Sequence, residues 1–264
     1  MEHFVWNANP ILLELGPIQL YWYGLLFIGS FLVGMEILKW IYKKENRDTE
    51  ILESLFVYVL VGAVVGARLV HCFFYEPSFF LENPLKIVAV WEGGLASHGG
   101  VIGVLTAVWL FAKNNNESYI WLLSRLTIPA SLSAMAIRIG NFMNSEIVGT
   151  PTQMPWAIIF QRLDNIPRHP AQLYESVTYL FIFILLFIVY KKVTPTFATK
   201  VLPALWFLTI FTARFFIEFV KTRQAHYSSD LPLSTGQMLS LPFIILGLSW
   251  LIWAVISEKK ASKE

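Results

Sequence analysis

The chain has 264 residues, of which 56% are hydrophobic, 16% aromatic and only 14% charged, against about 25% charged in soluble domains. This composition excludes an ordinary soluble globular domain, and scattered basic residues with a formal net charge of +2 leave no footprint for nucleic acid. The single cysteine, Cys72, excludes an internal disulfide.

A helix needs about 20 apolar residues to cross the hydrocarbon core of a bilayer. Seven segments qualify in chain order: 20–38, 53–74, 95–112, 119–139, 171–190, 201–220 and 237–256. The connections are short, so the expectation is an all-α integral membrane protein. It has about seven transmembrane helices, forms one domain over residues 1–264 and carries a small polar region on its outer side. The opening MEHFVWNANPILLELGPIQ has neither a basic n-region nor a small-residue cleavage site, so the first helix is expected to act as its own insertion signal.

Basic residues favour cytoplasmic loops. With seven helices, one set of alternate connections holds Lys39, Lys43, Lys44, Arg47, Lys113, Lys191, Lys192, Lys200, Lys259, Lys260 and Lys263, eleven in all. The other set holds five, namely Lys86, Arg162, Arg168, Lys221 and Arg223. The asymmetry places the N-terminus outside and the C-terminus in the cytoplasm.

With that orientation, polarity from five helices converges near the outer leaflet. The first helix brings Tyr23, the second Arg68 and His71, the third His98, the fourth Arg138, and the sixth Arg214 and Glu218. Arg125 lies nearer the cytoplasm, where it is expected to snorkel to the headgroups. Charges inside a bilayer cost roughly 2.5–3.5 kcal/mol on insertion scales and usually serve function. Arg68, Arg138 and Arg214 at one depth repel one another unless an anion lies among them, and the arginine fork suits phosphate. Glu218, one helical turn after Arg214, and Glu146 are the candidate neutralising carboxylates.

The segment SHGGVIG starts a helix with His98, Gly99 and Gly100. Free N–H groups at a helix start bind anions, and histidine exchanges a proton near neutral pH. Residue spacing alone thus leads to an anionic lipid site at the outer leaflet. Plainer readings stand beside it. Arg68 also fits an interfacial snorkelling residue, and a lone histidine is more often structural. Gly62, Gly66, Gly99 and Gly103 fit small-xxx-small helix packing, and Trp22, Trp91 and Trp156 fit interfacial anchors. His71 and His169 lack metal-like spacing, so no metal site is expected. A transporter would show internal repeats or helices broken at mid-membrane, and a purely structural subunit would not need three such arginines and a histidine at one depth.

Residues 138–149, RIGNFMNSEIVG, resemble the signature of the bacterial prolipoprotein diacylglyceryl transferases. WYG at 22–24, GAR at 66–68, EGGLASHGG at 92–100, HPAQLYE at 169–175, ARFFIEF at 213–219 and TGQMLS at 235–240 resemble further segments of that family, in family order. The resemblance implies an enzyme of the inner membrane that moves the diacylglyceryl group of phosphatidylglycerol to the lipobox cysteine of a prolipoprotein. A thioether forms and glycerol phosphate leaves, without metal or organic cofactor. It further implies catalytic roles for His98, Arg138 and Arg214, and substrate-binding roles for Tyr23, Asn141, Glu146, Gly149 and Glu218; Asn144 of the signature, with Arg68, Gly99 and Gly100 from the anion-site reading, completes the expected substrate-binding set. His98 is the candidate base, with an arginine-stabilised thiolate as the alternative. Glu146 and Glu218 are expected to hold the arginines. Lys221 stands where the family is expected to prefer arginine, and residues 141–170 are expected to form a lid, with an extended segment at 156–162.

Overall fold

The computed structural model describes residues 3–16, 18–222 and 232–261. Arg223 and Lys263, which enter the charge balance, lie outside the described residues. The chain divides into two compact units, Met1–Ile37 with Ser124–Glu264, and Leu38–Leu123. Among the described residues there are eight α-helices: α1 (Trp22–Lys44), α2 (Leu52–Val70), α3 (Pro77–Glu82), α4 (Ser97–Asn114), α5 (Tyr119–Met143), α6 (Ala171–Lys192), α7 (Pro195–Ile217) and α8 (Thr235–Ala261). Five short strands accompany them: β1 (Phe4–Trp6), β2 (Ile11–Leu15), β3 (Ile18–Tyr21), β4 (Ile158–Phe160) and β5 (Pro167–Arg168).

Among the described residues, six helical spans are long and apolar enough to cross a membrane: Trp22–Lys44, Leu52–Tyr75, Tyr119–Met143, Ala171–Lys192, Pro195–Val220 and Thr235–Ala261. The expected third crossing, 95–112, is α4, and it falls short of the seven anticipated. Its 18 residues open on Ser97, His98, Gly99 and Gly100 and close on Lys113 and Asn114, so its apolar stretch is confined to the middle.

In the larger unit, α6, α7 and α8 pack in sequence order. Phe207, Phe211 and Phe243 stack between α7 and α8, with Phe211 and Phe243 centroids 4.4 Å apart. Gly247 lets α8 approach the α7 backbone, since a Cβ there would lie 2.5 Å from Leu208 N. Prolines inside α5, α7 and α8 (Pro129, Pro203 and Pro242) are tolerated as they are in membrane helices, where neighbouring groups satisfy the freed carbonyls.

Arg125 corrects an expectation. It is fully buried rather than snorkelling. It donates to Pro195 O at 2.9 Å and to Thr199 Oγ1 at 3.1 Å, and lies 5.6 Å from the Tyr190 ring centroid. The guanidinium therefore fastens α5 to the α6–α7 corner.

The same unit carries a small β-layer. β1 pairs in parallel with β4, with Val5 opposite Ile159, and β4 pairs antiparallel with β5. Phe142, Val148, Ile158 and Phe160 form its apolar core, with Trp6 and Leu173 against it. The Trp6 indole donates to Phe142 O at 3.1 Å, which ties the N-terminal segment to the end of α5. The expected extended segment at 156–162 therefore exists as β4, with β1 as an unanticipated neighbour. β2 and β3 form a separate antiparallel hairpin, with Glu14 opposite Gln19.

In the smaller unit, α4 runs antiparallel along α2. A Cβ on Gly62 would strike Gly103 and Ala107, and one on Gly66 would strike Gly99 and Gly103. Four glycines thus bring the two backbones together, as the small-xxx-small spacing predicts. At its end the unit is closed by Arg47, which pairs with Glu117 and lies 3.8 Å from the Trp121 ring centroid.

Candidate active site

The site in the larger unit begins where α5 ends. Ser145 N donates to Phe142 O and Glu146 N to Asn141 O, a paired pattern that closes a helix through a left-handed residue. That residue is Ser145, with φ 58°, and Ile147 follows at φ 54°. A β-branched side chain in this region is a true outlier, and such strain concentrates at functional sites. The turn places three polar side chains together. Asn141 Nδ2 donates to Glu146 Oε2 at 3.3 Å, and Asn144 Nδ2 donates to Glu146 Oε1 at 3.2 Å.

Arg138 lies one turn earlier on α5. Its Nη1 donates to Asn141 Oδ1 at 3.1 Å, and its Nε lies 3.0 Å from Glu175 Oε2. The second contact is a charge pairing rather than an in-line hydrogen bond, because Glu175 Oε2 has no bond of good geometry. Glu175 is 1% exposed. Its other oxygen accepts from Lys221 Nζ at 3.3 Å, and Lys221 Nζ also lies 3.4 Å from Glu218 Oε2. Glu218 Oε1 accepts from the Ser234 hydroxyl at 3.1 Å. The charges therefore alternate along Arg138, Glu175, Lys221 and Glu218, which is how buried charges become tolerable.

Arg214 has no hydrogen bond or ion pair among the described residues. Arg138, Arg214 and Glu175 all lie within electrostatic reach of the buried Tyr179 hydroxyl. Tyr23 lies in the field of Glu146 and Arg138. Its ring rests against the α5 backbone, where a Cβ on Gly140 would lie 2.6 Å from Tyr23 Cδ2. A cavity of about 350 Å³ opens beside Arg168, Glu218, Lys221, Ser234 and Gln237.

Gly149 holds the turn to its surroundings. Its N–H donates to His169 O at 2.9 Å, and Thr150 N donates to Val220 O at 2.8 Å. A Cβ at 149 would lie 2.5 Å from His169 O and 2.6 Å from Val220 O. The residue therefore acts through the close approach of two backbone segments. In the adjoining loop Arg168 Nη2 pairs with Asp164 Oδ2 at 2.5 Å, and the donation from Arg168 holds the Asp164 carboxyl below its ordinary range.

The remaining candidates belong to the smaller unit. Arg68 is 4% exposed and donates to the backbone carbonyls of Ile87 (2.9 Å), Lys86 (2.5 Å), Gly94 (3.2 Å) and Gly93. Its guanidinium lies 4.9 Å from the Phe80 ring centroid. The fork is spent on shaping the segment between α3 and α4. His98 is exposed in the first turn of α4 and has no hydrogen bond among the described residues. Gly99 is packed against Gly66 of α2, while Gly100 stands 3.6 Å from Ala63 O by the same Cβ measure.

The larger unit thus brings together Tyr23, Arg138, Asn141, Asn144, Glu146, Gly149, Arg214 and Glu218. The partnerships differ from expectation. Glu175 holds Arg138, Glu218 holds Lys221, and Glu146 receives two amides. Glu175, Lys221 and Gln172 were not among the expected site residues. Glu175 is nevertheless visible in sequence as a carboxylate at the start of an otherwise apolar span, a placement that marks function.

Membrane-spanning helices ending in a buried, charge-alternating polar cluster define a polytopic membrane protein. The sequence pattern described as Prolipoprotein diacylglyceryl transferase matches residues 10–253, and the chain belongs to that family. A relative from Tolumonas auensis, named phosphatidylglycerol–prolipoprotein diacylglyceryl transferase, is 49% identical over 98% of this chain and 99% of its own length. Relatives with the same name from Chloroherpeton thalassium and Porphyromonas gingivalis are 46% and 40% identical, covering 99% and 98% of this chain and 98% and 96% of their own lengths.

Proposed function

We propose that this chain transfers the diacylglyceryl group of phosphatidylglycerol to the lipobox cysteine of a prolipoprotein, the first step of lipoprotein maturation. The cysteine sulfur forms a bond to the glyceryl carbon that carries the phosphate. The carbon–oxygen bond breaks, its electron pair goes to the phosphate oxygen, and glycerol phosphate leaves. The thiol proton goes to a base. The observation that carries the reading is the buried Arg138–Glu175 pair beside Asn141 and Glu146, at the end of a spanning helix.

Arg138 and Arg214 stabilise the charge that grows on the departing phosphate. Glu175 fixes the direction of Arg138, and Asn141, Asn144, Glu146 and Tyr23 orient the headgroup. Glu218 acts through Lys221, and Gly149 through the fit of its backbone. His98 is the base, supported by its exposed imidazole at the start of α4. Thiolate formation assisted by Arg214 is the alternative, favoured by the lack of any ion pair on that residue among the described residues. The scheme calls on no metal or organic cofactor.

The protein sits in the bacterial cytoplasmic membrane, with its N-terminus outside and its C-terminus in the cytoplasm. The basic asymmetry supports this, and so does the antiparallel course of α4 along α2, which fits a seventh crossing of about 27 Å. Residues 141–170 form the lid of a single catalytic domain. The test is to incubate purified protein with phosphatidylglycerol and a lipobox peptide. The peptide should gain the mass of a diacylglyceryl group, and an unmodified peptide would contradict the proposal.

A further inference from the structure

Gln172 lies in the first turn of α6 and is fully buried. Its Nε2 donates to the Glu146 carbonyl oxygen at 2.5 Å. Its Oε1 is buried without a hydrogen-bond partner among the described residues. A buried amide that uses one end on a single carbonyl is costly unless that carbonyl must be held. The Glu146 carbonyl and the Ile147 N–H share one peptide plane. Fixing that oxygen therefore sets ψ of Glu146 and φ of Ile147, the residue held at φ 54°. The side-chain carboxylate of the same residue takes the amides of Asn141 and Asn144.

We propose that Gln172 is a positioning residue for the transfer reaction, clamping the Glu146–Ile147 peptide plane so that Glu146, Asn141 and Asn144 face the substrate in one arrangement. This rests on the reaction proposed above. The rest of the HPAQLYE segment braces the same turn: His169 O accepts from Gly149 N, and Glu175 pairs with Arg138. Gln172 supplies the contact beside Ile147, the β-branched residue held at positive φ. A side chain that merely filled volume would not need its donor aimed at this carbonyl.

The test uses Gln172→Met, which keeps the volume while removing both the clamp and the unpartnered oxygen, so folding and thermal stability should change little. Its kcat should fall between about 10- and 100-fold, as misplacement of a reacting group does, with KM for phosphatidylglycerol changed far less. Amide exchange over residues 144–149 should quicken in the variant and stay unchanged in α7. Ile147→Gly, added to that background, should return part of the lost kcat, because glycine adopts positive φ without strain. Near wild-type kcat with unchanged exchange would overturn the proposal, and so would a loss that Ile147→Gly does not relieve. Wild-type protein that transfers nothing would defeat the proposed reaction instead, and the exchange comparison would still decide whether Gln172 holds the turn.

Discussion

Glu175 Oε2 lies 3.0 Å from Arg138 Nε, and the carboxylate is 1% exposed while the guanidinium side chain is 17% exposed. The pair joins α5 to α6, and its other oxygen reaches Lys221 beyond the end of α7. One carboxylate therefore balances two cations from different elements. Removing it leaves Arg138 without a carboxylate and Lys221 with Glu218 alone. Glu175→Gln should destabilise the protein by about 3–5 kcal/mol, the usual result of breaking a buried pair. Denaturation midpoints in detergent check this, with Lys221→Met in parallel. The lysine variant should cost less, because Arg138 still balances Glu175.

Gly149→Ala places a methyl group 2.5 Å from His169 O and 2.6 Å from Val220 O, and neither backbone has room to retreat without breaking its own hydrogen bonds. Overpacking of this kind costs roughly 1–3 kcal/mol. The expected outcome is a lower melting temperature together with loss of transfer, because the displaced turn carries Asn144 and Glu146. Thermal melts of the purified variant measure the first effect and peptide modification the second.

Arg125 gives a prediction far from the site. Arg125→Ala removes the donations to Pro195 O, Thr199 Oγ1 and Ser124 Oγ and opens space beside Tyr190, while Thr199 Oγ1 still donates to Pro195 O at 3.0 Å. The loss should be about 1.5–3 kcal/mol, the scale of hydrogen bonds made by a charged group. Transfer by the surviving folded protein should stay close to wild type in KM. A raised KM with unchanged stability would contradict the structural role.

The Asp164–Arg168 pair gives a pH dependence. Hydrogen bonding from Arg168 lowers the folded-state pKa of Asp164, so the pair contributes stability above the ordinary carboxylate value of about 3.9. That contribution is lost as the pH falls through the lowered folded value. Melting temperatures of wild type and Asp164→Asn should differ at pH 6, and the difference should shrink as the pH falls below the ordinary carboxylate range. A difference that does not change with pH would assign the effect to packing.

Much of this architecture is legible in the sequence because the bilayer imposes its own length scale on apolar runs. Segment 20–38 grows into Trp22–Lys44 because Lys39, Lys43 and Lys44 continue a helix once it has left the apolar core. Segment 201–220 begins earlier, at Pro195, because Thr194 caps it by accepting from Phe197 N. The α2–α4 contact follows from glycine spacing, which survives any choice of partner side chains. What the sequence conceals is pairing across distance. Phe4–Trp6 is too short to announce a strand, and only Ile158–Phe160 makes it one. Glu218 follows Arg214 by one helical turn, yet the chain ends α7 there in a short 3₁₀ turn and the carboxylate meets Lys221 instead. Glu175 is recognisable as a buried charge, but its partners are set by how α5, α6 and the end of α7 meet.

The central claim is that the Arg138 guanidinium, oriented by Glu175 and Asn141, stabilises the departing phosphate. Arg138→Lys keeps one positive charge and removes the fork, so the most direct measurement is kcat for lipobox peptide modification by that variant, with membrane insertion and yield monitored. We predict a fall of about 100-fold or more, the scale seen when one preorganised stabilising group is lost, in protein that still inserts and purifies. A kcat within a fewfold of wild type would contradict the account and reduce Arg138 to a structural charge.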